Sequence, residues 1–214
     1  MSAHLTDQIK AVFFDHDDTL VGTIEPKWAE HKYIAKRYYG KNLTDDDIRQ
    51  HWGKPLPELM CILYGTEDTE QAIAYNVLHH QSYPTLLFTA TIPVLRHLHT
   101  LGKKTGIVTA TNRFSFEHDL KSHNIPRKLV DYTQTADDTS FHKPNPKVFQ
   151  PAQAWLTEQR LQSDQVLYVG DSLADMRAAL GAGFNFLGVE TGLVTAKQFA
   201  HAGALSIADV GGLL

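Results

Sequence analysis

The segment KAVFFDHDDTL, residues Lys10 to Leu20, sets the tightest limit on how this chain can fold. Its apolar run, Ala11-Val12-Phe13-Phe14, does not alternate with polar residues. A strand formed here therefore has both faces buried, as strands of a parallel sheet do. The run then ends abruptly in Asp15, His16, Asp17, Asp18 and Thr19. Three carboxylates at the carboxyl end of a buried strand repel one another and lose hydration unless a cation sits among them. A hard divalent cation with oxygen ligands, such as Mg²⁺, meets that need. An acidic, solvated turn is the plainer alternative.

Beyond Gly22 the pattern changes. From Glu25 to about Phe88 the chain reads as amphipathic helices with no alternating strand. Pro26 suits a first helical turn and Gly40 a stop. Thr44 followed by Asp45-Asp46-Asp47 reads as a cap with an acidic first turn, and Gly53-Lys54-Pro55 as a break. Residues 57–64 and 67–81 read as two further helices. From Thr91 onward, helices alternate with short apolar strands: a helix to Gly102, a strand from Thr105 to Thr109, and a short strand in LVDYTQT. A helix from Pro146 to about Arg160 follows, then strands in QVLYVG and FNFLGV and one last short strand near the end. The expected fold class is α/β, a Rossmann-like parallel sheet with helices on both faces and right-handed crossovers. Residues 1–22 and 89–214 form its core domain, and a small all-α domain, residues 23–88, is inserted after the first strand.

Composition excludes several classes of function. The 214 residues carry a net charge of −4 and no basic block, so nucleic acid is not an expected partner. The longest apolar runs are of strand length, so no membrane-spanning helix is expected. MSAHLTDQIK lacks the apolar centre of a signal peptide, and Cys61 is the single cysteine, so a reducing, cytoplasmic setting is expected. Monomer and homodimer stay equally open. The twelve histidines show no metal-site spacing and read mostly as surface residues.

In open α/β sheets ligands sit outside the carboxyl ends of the strands. Four such ends here carry reactive residue types. The first offers Asp15 and Asp17, the second Thr109 followed by Ala110, Thr111 and Asn112. The loop after the third holds Lys143, and the fourth ends in Asp171, Ser172 and Asp175. In this order the set resembles the haloacid dehalogenase superfamily of aspartate-nucleophile phosphohydrolases. DHDDT looks like its DxDxT motif, Thr109 like its strand-end Ser/Thr, Lys143 in HKPNP like its loop lysine, and GDSLAD like its GDxxxD motif. Asp18 stands where that motif most often has glycine, and Gly22 where many relatives have Asp. The helical insert is similar to the superfamily's α-helical cap.

The resemblance implies a Mg²⁺-dependent phosphatase acting on a small phosphorylated metabolite, similar to phosphoglycolate phosphatases. Asp15 would be the nucleophile and metal ligand, forming an aspartyl-phosphate. Asp17 would act as general acid, then general base, and lend its carbonyl to the metal. Asp171 would be a further metal ligand, with Asp175 ordering a metal-bound water or the loop. Lys143 and Thr109 would bind phosphoryl oxygens, with Thr111 as the alternative to Thr109. Backbone N–H groups near Asp17, Asp18 and Ala110, together with Asn112, would assist. From the insert, Lys54 would meet a second anionic group, and Trp28, His31 and Lys32 are further candidates. A sugar phosphomutase similar to β-phosphoglucomutase is the nearest rival. A phosphonate hydrolase using Lys54, a metal-free dehalogenase, a phospho-accepting receiver and a catalytically silent binding protein stand behind it.

Overall fold

The computed structural model describes residues 7–214. The chain divides into two compact units, Met1–Gly22 with Leu87–Leu214, and Thr23–Leu86. The expected insert, 23–88, runs two residues past the second of these.

In the first unit, six strands form one parallel sheet in the order β5-β4-β1-β6-β7-β8. They are β1 (Ala11–Phe14), β4 (Lys104–Val108), β5 (Tyr132–Gln134), β6 (Val166–Gly170), β7 (Asn185–Val189) and β8 (Ser206–Ile207). Two short strands, β2 (Val21–Gly22) and β3 (Leu86–Leu87), pair with each other where the chain leaves this unit and returns. The strand order reverses at β1, which lies between β4 and β6, so the crevice at the carboxyl ends of β1 and β6 is the topological switch point.

All four residues of β1 are fully buried, in keeping with its unbroken apolar run. Successive side chains point to opposite faces. Val12 and Phe14 join one core with Val94, Leu95 and Leu98 of α5 (Thr91–Thr100) and Phe116 and Leu120 of α6 (Arg113–Ser122). Ala11 and Phe13 join the other, with Ala152 and Leu156 of α7 (Gln150–Glu158) and Ala178 and Ala179 of α8 (Leu173–Gly181). A last helix, α9 (Ala196–His201), buries Phe199. The strand expected at Thr105–Thr109 is shifted back by one residue, which leaves Thr109 just past its end. The helix expected from Pro146 opens as a 3-10 turn, Pro146–Phe149, before α7 begins.

The second unit is a helical bundle of α1 (Ile24–Tyr39), α2 (Asp45–Arg49), α3 (Leu56–Tyr64) and α4 (Thr69–His79). Gly40 ends α1 in the left-handed region at φ 65°, and a Thr44–Asp47 capping box opens α2. The interior is partly polar. Glu30 is fully buried and receives Lys27 at 2.9 Å and Asn76 at 3.1 Å. His31 Nδ1 lies 2.7 Å from the Tyr64 hydroxyl, and burial holds its imidazole down at about 4. No helix among the described residues is long and apolar enough to cross a membrane.

Gly106 of β4 lies opposite Phe13 of β1, and a Cβ there would come within 2.6 Å of the Phe13 ring. That ring is itself held by Tyr132, Trp155 and Phe184, with centroids 5.6, 5.9 and 6.3 Å away. Gly106→Ala therefore overpacks the sheet centre and is expected to cost about 1–3 kcal/mol in denaturant unfolding. An unchanged midpoint would show that the ring has room to move.

Candidate active site

Every strand end singled out in the sequence, apart from the insert, lies in the first unit. Asp15 follows β1 directly and donates its backbone N–H to Val169 of β6 at 2.9 Å. Asp171 follows β6. Asp175 lies in the first turn of α8, where Ser172 and Asp175 cap each other. Its Oδ2 accepts from the Ser172 N–H at 3.1 Å and the Ser172 hydroxyl at 2.5 Å. Gly170 permits this fold-back, since a Cβ there would lie 2.6 Å from Asp175 Cγ. Oxygens of Asp15, Asp171 and Asp175 lie within 4.8 Å of one another.

Lys143 reaches into this group. Its Nζ stands 2.9 Å from Asp15 Oδ1 and 2.7 Å from Asp175 Oδ1, with the Tyr168 ring centroid at 5.2 Å. The Tyr168 hydroxyl donates to the Val108 carbonyl at 2.9 Å, linking β6 to β4. Electrostatics follow from burial. Desolvation alone would lower the Lys143 ammonium, but Asp15 and Asp175 raise it well above its ordinary value, so it stays charged. Desolvation pushes Asp15 up to about 7 against the pull of Lys143, with Asp175 and Asp17 adding to the rise. Asp171 is driven well above the carboxylate range by burial and by Asp175, Asp15 and Asp18. One ammonium thus does not balance three carboxylates.

The other half of the site gathers around Asp17. Its Oδ2 accepts from the Thr111 hydroxyl at short range and from the Thr109 hydroxyl at 3.4 Å. The Thr111 N–H in turn donates to Thr109 Oγ1 at 2.9 Å. Both threonines therefore stand at the place where one was expected. Asp18 adopts φ 53°, in the left-handed region that favours glycine and that Asp tolerates better than most residues. Its N–H is engaged by the Val21 carbonyl at 2.7 Å, so the turn itself uses that donor. Ala110 is exposed beside Thr109. The Asn112 side chain caps α6, accepting from the Ser115 N–H at 2.9 Å.

The insert candidates lie in the second unit. Lys54 forms an exposed ion pair with Glu58, and Lys32 pairs with Asp45 at 2.5 Å. Trp28 and His31 are buried and pack against Trp52. Three residues at the core site escaped the sequence reading. Tyr168 was read only as strand. Gly192 lies so close to Asp171 that a Cβ would overlap its carboxylate. His16, given no role in the sequence, is fully buried, its Nε2 3.2 Å from Asp119 Oδ2. Hydrogen bonding from Asp119 and the charges of Asp17, Asp119 and Asp15 outweigh its desolvation and raise its imidazole.

The residues present fit a hard divalent cation. Asp15 Oδ1 is buried with no aligned hydrogen-bond donor, although Lys143 is near, and the adjacent donors are all carboxylate oxygens.

A family model described as haloacid dehalogenase-like hydrolase matches residues 12–189. A pyrophosphatase, PpaX, of Bacillus velezensis is 27% identical over 188 residues, covering 86% of this chain and 85% of its own length. A validoxylamine A 7'-phosphate phosphatase of Streptomyces hygroscopicus subsp. limoneus is 26% identical over 188 residues, covering 85% and 86%. Among solved structures, a Bacteroides fragilis protein described as a haloacid dehalogenase-like hydrolase superposes with TM-score 0.80 and 29% identity. That match covers 96% of this chain and all of the other.

The raised carboxyls make a prediction about the metal-free protein. A carboxyl raised on folding contributes stability that is complete below its unfolded value and lost as pH rises through its folded one. For Asp15 that window runs from 3.8 to about 7. In chelator, the melting temperature is expected to fall between about pH 4 and pH 7, and Asp171→Asn to shrink the fall. A wild-type melting temperature flat across that range would contradict the account of Asp15.

Proposed function

The chain belongs to the haloacid dehalogenase-like hydrolases, and from that membership we propose that it is a Mg²⁺-dependent phosphatase that hydrolyses a small phosphorylated metabolite through an aspartyl-phosphate on Asp15. The observation that carries this reading is the buried Lys143 ammonium within 2.9 Å of Asp15, beside two more acids.

Asp15 attacks phosphorus through a carboxylate oxygen as the bond to the leaving oxygen breaks. Asp17, oriented by Thr109 and Thr111, gives its proton to that leaving oxygen. Asp17 then takes a proton from the water that attacks the aspartyl-phosphate, which frees inorganic phosphate and restores Asp15. Lys143 binds a phosphoryl oxygen and offsets the negative charge that Asp15 faces. Thr109 and the amides near Asp17 and Ala110 serve the remaining oxygens. The cation would be held by Asp15, Asp171 and the Asp17 carbonyl, with Asp175 fixing the loop and Lys143. When bound, it offsets the repulsion between Asp15 and an anionic phosphoryl group.

Selectivity is assigned to the helical unit as a cap. There an anionic substrate group would have to displace Glu58 to engage Lys54. Since one relative is a pyrophosphatase and another a validoxylamine A 7'-phosphate phosphatase by name, inorganic pyrophosphate and small phosphate monoesters are the substrates to test first.

Two outcomes are expected. Phosphate release from that panel requires Mg²⁺, stops in EDTA and returns when Mg²⁺ is restored; full turnover in chelator would end the metal role of Asp171. Asp15→Asn keeps the fold by circular dichroism but loses at least about a hundredfold in kcat. Retention of more than a few per cent of the rate would remove Asp15 as nucleophile. Isomerised product without phosphate release would replace hydrolysis with a mutase.

A further inference from the structure

We propose that His16 is a positioning residue for Asp17, acting through Asp119. The role presupposes the phosphatase reading, in which Asp17 handles the leaving-group proton.

His16 sits between the two acids of the first strand end and is fully buried. Its ring stands edge-on to Phe116, centroids 5.1 Å apart, and its Nε2 meets Asp119, so both partners belong to α6. The segment just before α6 carries Thr109 and Thr111, the residues that hold Asp17. The acidic turn is therefore pinned to one stretch of chain twice, at Asp17 and at His16. The His16 backbone adds to this. Its carbonyl accepts from the N–H groups of Thr19, Leu20 and Val21 at 3.3, 2.9 and 3.2 Å. A rotation at residue 16 would shift the whole turn, Asp17 included.

Packing alone does not account for a histidine here. Phe116, against which the ring packs, belongs to a hydrophobic core with Phe14, Leu20 and Leu120. An apolar side chain would fill the same space without desolvating an imidazole and a carboxylate. What the polar pair adds is direction, because a hydrogen bond fixes orientation where a methyl contact does not. An acid misplaced by about 1 Å loses much of its effect on a leaving group.

The test compares two esters. An alkyl phosphate needs a proton on its leaving oxygen, whereas p-nitrophenyl phosphate leaves readily without one. His16→Leu is expected to lower kcat/KM, which reports only the steps up to the aspartyl-phosphate, about tenfold or more on the alkyl ester and less than about threefold on the aryl ester. His16→Gln, which returns an N–H to Asp119, recovers most of the loss. Asp119→Asn keeps the side-chain volume while weakening the bond. It shows the same ester-selective pattern at smaller size, about threefold, and carries the test if His16→Leu does not fold. Equal losses on both esters, no loss, or no recovery with Gln would overturn the role of His16. A wild-type protein inert on every ester and on pyrophosphate would overturn the phosphatase reading and this role with it.

Discussion

The Lys143 ammonium, enclosed between Asp15 and Asp175, is the contact on which the site depends. Taking three carboxylates out of water is unfavourable, and one cation returns only part of the cost. The remainder appears as carboxyls driven upward at Asp15 and Asp171. A cluster with a deficit of positive charge is poorly suited to stabilising a fold. It is well suited to taking up a cation together with an anionic phosphoryl group, since each removes part of the imbalance. The surrounding protein is arranged to keep the cluster from relaxing. Ser172 holds one oxygen of Asp175, Tyr168 underlies Lys143, and Gly170 and Gly192 let the carboxylates approach closely.

How much of this was legible in the sequence differs from residue to residue. The β1 strand and its acidic end could be read directly, because an unbroken apolar run needs burial on both faces and its termination in acid has few physical solutions. Lys143 was legible only from its place in an ordered set of strand ends, since a single Lys-Pro pair says little. The choice between Thr109 and Thr111 turned on where β4 stops. The strand ends one residue early, and the turn brings both hydroxyls to Asp17.

What sequence reasoning missed depends on partners far away along the chain. His16 finds Asp119 103 residues later, and no local pattern reports that pairing. His31, a candidate to face the site from the insert, is buried against Tyr64, 33 residues on. Gly192 carries no local signal of its own, and only the fold sets it against Asp171. Asp18 was noted as a departure from the glycine usual at its position. The structure supplies the reason for that preference: the turn requires a left-handed backbone there.

The central place of β1 has a consequence for the chain as it is being made. During synthesis β1 emerges before its sheet neighbours β4 and β6, and its acids meet neither Lys143 nor Asp171 until those later segments exist. Local contacts in the helical unit can form earlier, because its four helices lie within a single continuous stretch, Thr23–Leu86. A nascent chain cut short before β4 would be more than an incomplete enzyme. It would carry a sticky apolar strand, unpaired along both edges and ending in uncompensated acid, which is the kind of species that chaperones retain and proteases clear.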